Sequence, residues 1–142
     1  MNQQRADELW TQVQALFAGK GLTKAQRDVV HQPTTTSTRG LVKAYVGDLA
    51  GFRIMFVSGH EVGVKRSMDF ITGGNGFRYT FMPRDEIWLD AFVHLSQLPF
   101  IAVHELIESE LMAGGMGYDK AHAQANDYER EYRRAALRRE WA

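Results

Sequence analysis

Leu98-Pro99-Phe100-Ile101-Ala102-Val103-His104-Glu105-Leu106-Ile107-Glu108-Ser109-Glu110-Leu111-Met112 is apolar on nearly every side, yet carries a histidine and carboxylates at its centre. Pro99 is tolerated in the first turn of a helix, Ser96 can cap it, and Ala113-Gly114-Gly115 breaks it, so a helix over 96–112 is expected. A helix that is hydrophobic all round belongs in the interior. Four residues apart, His104 and Glu108 share one face, and Glu105 sits beside them. Ionisable groups buried there are expensive unless paired. A bound dication compensates both the carboxylate and the imidazole lone pairs, and a buried arginine does part of the same work.

Downstream, a second helix is expected from about residue 118 towards 139. Ala121, Ala125, Tyr128, Tyr132 and Ala136 form its apolar stripe, with His122, Asn126, Glu129 and Arg133 along the edge. The connection over 113–117 is short and glycine-rich, so the two helices should form a hairpin that sets His122 opposite His104 and Glu108. Two histidines and one glutamate are a ligand set for zinc, with a fourth position left for water, as a catalytic site requires. Glu105 can then take a proton from the attacking water and return it to the leaving group. Asn126 and Glu129, one and two turns beyond His122, are candidate supporting partners or alternative ligands. Tyr118, Tyr128 and His94 are candidate donors to the developing charge.

Upstream, Leu9, Val13, Leu16 and Phe17 recur at helical spacing, and Gly19 stops the run, which predicts a helix over 5–18. A short helical turn over 21–28 and an exposed loop over 32–38 follow, and the lone His31 fits surface or capping duty. Residues 40–46, 52–57, 77–82 and 86–91 are β-rich and separated by turn signals, suggesting a mainly antiparallel sheet. Gly73-Gly74-Asn75-Gly76 reads as a turn, since no Gly-Lys-Ser/Thr ending or helix follows it. His60-Glu61 continues as Val62-Gly63-Val64 in a strand-like context and fits no ligand pattern.

The chain has 142 residues, about one domain's worth, and hydrophobic (44%) and charged (24%) contents ordinary for a globular protein. With 17 basic and 17 acidic residues it has no overall field to attract nucleic acid or an anionic membrane. No cysteine is present, which excludes disulfides, thiolate metal sites and cysteine nucleophiles, so a metal must use His, Asp or Glu. A polar N-terminus and the lack of a long apolar run lead to the expectation of a cytoplasmic protein.

Residues 86–133 resemble the active-site region of the zincin metallopeptidase superfamily: a strand, a helix bearing His-Glu-x-x-Glu, then a helix bearing a third ligand. The usual motif is His-Glu-x-x-His with a later glutamate. Here Glu108 takes the second motif position and His122 comes later, so the ligand inventory is preserved. Leu111-Met112, Gly115-Met116, Tyr118 and Ala121-His122 extend the similarity to small zincin-like proteins of bacteria and phages. The resemblance implies one zinc ion held by His104, Glu108 and His122, with Glu105 as general base in hydrolysis of a peptide bond. It further implies a peptide or protein substrate adding to the edge of the strand from Glu86 to Ala91. The expected fold is α+β, a single domain over 1–142 in which an N-terminal helix, a small mainly antiparallel sheet and a C-terminal helical hairpin hold the site. The competing reading is an inactive binding or adaptor module whose His/Glu cluster is a structural polar network. It would use Arg130, Arg133, Arg134, Arg138 and Arg139, although interleaved Glu129, Glu131 and Glu140 suit a solvated helix better than an anion-binding face.

Overall fold

The computed structural model describes residues 1–18, 22–30, 41 and 43–141. Helices α1 (Gln3–Phe17) and α2 (Leu22–Val30) precede strands β1 (Ala44–Leu49) and β2 (Phe52–Val57). Helix α3 (Gly59–Lys65) and strands β3 (Gly73–Asn75) and β4 (Glu86–Asp90) follow, then helices α4 (Leu98–Ala113) and α5 (Tyr118–Trp141). The fold is α+β. His31 and the expected loop over 32–38 lie outside the described residues.

The sheet order is β1-β2-β4-β3. β1–β2 and β3–β4 pair antiparallel, whereas the central pair β2–β4 is parallel, with Ile54 opposite Ile87 and Phe56 opposite Leu89. Side chains alternate across these strands. Ile54, Phe56, Ile87 and Leu89 enter the core shared with the helices, while Met55, Val57 and Trp88 meet Val62, Phe70 and Met82 on the other side. Both faces of β4 are therefore covered. At the β1–β2 hairpin, Leu49 pairs with Phe52, and Ala50 (φ 50°) and Gly51 (φ 86°) make the two-residue turn. Two successive positive φ values match the twist of the flanking strands.

Three sequence expectations change in this region. Residues 77–82 alternate aromatic and polar side chains as a strand does, but they form consecutive turns, with Tyr79 N–H donating to Asn75 O (3.1 Å) and Met82 N–H to Tyr79 O (3.1 Å). Their rings instead pad the outer face, where Tyr79, Phe81, Phe70 and Trp88 lie 5.3–6.4 Å apart. Gly73-Gly74-Asn75 is the edge strand, not a turn. Residues 59–65 are helical because Ser58 caps them, its hydroxyl accepting from Glu61 N–H at 3.2 Å. The Ser58-x-x-Glu61 spacing is a helix-start signal that outweighs the β-branched valines.

Helix α4 is the spine of the molecule. From Ala102 to Ser109 every residue is buried, between the sheet on one side and α1 and α5 on the others. α1 is capped by Asn2, whose side chain accepts from Arg5 N–H (2.9 Å). It buries Ala6, Leu9 and Val13 and stacks Trp10 between Phe100 (5.3 Å) and Tyr132 (4.9 Å). Arg5 reaches α4 through a forked pair to Glu110, with contacts of 2.6 and 2.9 Å. Each fully buried aliphatic side chain in this core contributes about 1.5–3 kcal/mol. The helix starts at Leu98 with Gln97 in the cap position and no side-chain cap, since Ser96 Oγ meets His94 Nδ1 at 2.8 Å. Among the described residues, no helix is long and apolar enough to cross a membrane.

Candidate metal centre

The α4–α5 hairpin turns on glycine. Gly115 has φ 103°, Met116 N–H returns to Leu111 O (3.1 Å) and Gly115 N–H to Met112 O (3.0 Å). These crossed bonds satisfy the last carbonyls of α4 and reverse the chain within a few residues. As a result His122, in the second turn of α5, faces His104 and Glu108 on α4. His104 Nε2 is 3.1 Å from Glu108 Oε2, His122 Nδ1 is 2.8 Å from the same oxygen, and the two ring nitrogens are 3.3 Å apart.

Two imidazole nitrogens and a carboxylate oxygen thus form a triangle with 2.8–3.3 Å edges. Ligand atoms on a tetrahedral ion with bonds of about 2.0–2.1 Å stand about 3.3 Å apart, so the triangle nearly has the dimensions of one face of such a site. His104, Glu108 and His122 could hold a metal ion. His104 and Glu108 are 7% and 2% exposed, whereas the His122 side chain is 41% exposed, which leaves one side of the triangle open.

The ring of His104 is held from behind. Glu129 Oε1 on α5 lies 3.0 Å from His104 Nδ1, off the axis of a well-aligned hydrogen bond. Arg133 Nε donates to Glu129 Oε2 (2.8 Å) and its Nη1 to Gln97 Oε1 (2.6 Å). A carboxylate behind a ligating histidine orients the ring and raises its basicity. Glu129 therefore supports His104 and does not join the triangle. Burial works against a charged His104, but Glu108 and Glu129 outweigh it and hold the imidazole up to about 10. Burial likewise opposes the charges of Glu108 and Glu129, and their histidine and arginine partners hold both below the usual carboxylate range.

Glu105 has the opposite environment. Burial comes first, the Glu108 charge second, and together they push its carboxyl above the ordinary range. Its Oε1 accepts from Asn75 Nδ2 (3.0 Å), and its Oε2 is 4.0 Å from His104 Nε2, outside the triangle. Two neighbouring carboxylates whose environments drive their proton affinities apart are suited to separate roles.

Asn75 is a functional candidate that sequence reasoning missed. Fully buried at the end of β3, it donates from Nδ2 to both Glu105 Oε1 and Glu108 Oε1, each at 3.0 Å. Its Oδ1 accepts from Phe77 and Arg78 N–H, also at 3.0 Å, which fixes the orientation of the amide. The glycines around it make this approach possible. A Cβ on Gly73 would meet Ile101 at 2.9 Å, and one on Gly76 would lie 2.1 Å from Pro83 O. The available signal was an asparagine inside a glycine run, which reads equally well as turn chemistry.

A cavity of about 410 Å³ opens beside the triangle, lined by Glu105, Tyr118, Arg78 and Tyr79 among others. Tyr118 stacks on His122, with centroids 5.2 Å apart. Tyr128 does not face the site: its hydroxyl donates to Met1 O (2.7 Å), so it anchors the N-terminus. Asn126 is not among the cavity's lining residues, and His94 is turned to Ser96. The strand ending at Asp90 is an inner strand, paired with β2 on one side and β3 on the other, so it has no free edge for a peptide. The edge strand on this side of the sheet is β3, whose Gly74 and Asn75 are buried. His60 is exposed on α3 and outside the cavity.

These features define an α+β domain with a His/Glu cluster of metal-binding type beside an open cavity. No family model, curated protein or solved structure matches the chain.

Proposed function

We propose that the chain is a zincin-like, zinc-dependent hydrolase acting on peptide bonds, with His104, Glu108 and His122 holding one ion and Glu105 as general base. The observation that carries this reading is the triangle of 2.8–3.3 Å between two imidazole nitrogens and one carboxylate oxygen. A zinc ion held by these three residues would supply Lewis acidity toward a carbonyl and lower the pKa of water. Glu105 stands outside the triangle, lines the cavity and has a raised proton affinity, which suits it to accept the proton of the attacking water and pass it to the leaving amine nitrogen. Asn75 holds Glu105 and Glu108 apart in their two roles. The Tyr118 hydroxyl is the candidate donor to the carbonyl oxygen as charge develops. The substrate is placed along the edge strand β3, whose Gly73 and Gly74 line the cavity.

One observation favours the competing reading of a non-catalytic binding module. Glu108 meets His104, His122 and Asn75 directly, so the cluster also closes as a polar network. Metal content separates the two. Purified protein is expected to carry one zinc per chain and to lose it in His104→Ala and His122→Ala. Glu105→Gln should keep the zinc and lose hydrolysis of a peptide library by at least about a hundredfold. Zinc-free protein that gains no thermal stability from added zinc overturns the proposal, and Glu105→Gln as active as wild type removes the base.

A further inference from the structure

We infer that Arg78 is a carboxylate-recognition residue of this cavity, selecting substrates that carry a carboxylate near the scissile amide. The inference rests on reading the cavity as a peptide-binding cleft. Arg78 lies in the turn after β3, held there because its N–H is fixed by Asn75 Oδ1 (3.0 Å). Its guanidinium lies 4.4 Å from the ring centroid of Tyr118 and 5.0 Å from that of Tyr79. Tyr118 in turn stacks on His122, which places Arg78 one ring beyond the candidate metal ligand.

The electrostatic contrast with Arg133 is what assigns the role. Both arginines line the cavity, but Arg133 is held by Glu129 at 2.8 Å and Gln97 at 2.6 Å, so its charge is already matched. The acidic partner shown for Arg78 is Asp69, at 3.7 Å and with a side chain 74% exposed. Its Nε is buried without a hydrogen-bond partner among the described residues. A ligand in the cavity therefore meets the terminal nitrogens and not Nε. Aromatic rings hold the cation in place without neutralising it. A guanidinium that leans on Tyr118 and Tyr79, bonds the Tyr118 hydroxyl and has only the exposed Asp69 shown as counter-charge matches a carboxylate by paired N–H···O bonds, and a ligand carboxylate can displace Asp69.

The carboxylate can come from a free C-terminus or from an acidic side chain. Three probes separate these sources on the full, zinc-supplied chain: acetyl-dialanine as the free acid, its C-terminal amide, and acetyl-alanyl-glutamyl amide. Binding is read by isothermal titration calorimetry, which serves the wild type and the variants alike. At least one acid is expected to bind about tenfold or more tightly than the amide. The first acid alone indicates C-terminal recognition, and the second indicates side-chain recognition. Arg78→Ala should shrink the preference below about twofold with the zinc content unchanged, and Arg78→Lys should keep part of it. Acids that bind no better than the amide, no binding by any probe, or a preference that survives Arg78→Ala overturns the inference. Carboxylate preference without turnover overturns only the hydrolase reading, and turnover without the preference overturns only this one.

Discussion

Asn75 ties the two carboxylates of the site together, because one amide meets both and two backbone N–H groups set the amide. Removing it leaves Glu105 and Glu108 buried against each other with less to hold them apart. Asn75→Ala is expected to destabilise the protein by about 1–3 kcal/mol in denaturant unfolding. On the proposed hydrolase reading it should also cut hydrolysis more than zinc content, since Glu108 keeps His104 and His122 while Glu105 loses Asn75. A variant with unchanged stability and activity would show that the carboxylates need no such clamp. Sequence spacing identified His104, Glu105, Glu108 and His122 because a 3.6-residue period and a short hairpin determine what shares a face. It could not identify Asn75 or Arg78, which reach the site through a three-residue strand and a turn.

Among the elements, the α4–α5 turn carries the greatest leverage on the site. Gly115 at φ 103° permits the reversal that aims His122 at α4. Gly115→Ala should cost about 1 kcal/mol, and zinc affinity should fall with it as the start of α5 shifts. Equilibrium unfolding and a zinc-competition titration measure the two effects separately. The long helices were legible because α4 is apolar all round and α5 has an alanine stripe. The middle of the chain was less so. A capping serine made a helix of residues 59–65, and tertiary contacts, not alternation, decided the fate of residues 77–82. The parallel pairing of β2 with β4 was likewise out of reach, because strand order depends on how the intervening segment crosses, not on the strands' own residues.

For the whole molecule, a metal ion at His104 would have to compete with a proton. Glu108 and Glu129 hold its imidazole pKa at about 10, above its value of about 6.5 in an unfolded chain. That raised value contributes stability present in full below about pH 6.5 and lost as the pH rises through about 10. Zinc requires the neutral ring and gains what the proton loses. The melting temperature of protein with stoichiometric zinc, minus that of chelated protein, should therefore widen from pH 6.5 to 9.5 in paired thermal scans. A constant difference would mean that zinc does not displace the His104 proton.

The chain has no cysteine, yet His122 on α5 closes onto His104 and Glu108 on α4. An ion at that junction would act as a reversible cross-link, fastening a loop of a length for which a disulfide contributes about 3 kcal/mol by restricting the unfolded chain. Chelation should then loosen the hairpin before it loosens the sheet. Limited proteolysis of chelated protein is expected to begin in the glycine turn between α4 and α5, and zinc should protect that turn. First cuts elsewhere, or at the same rate with and without zinc, would show that the hairpin holds without the cross-link.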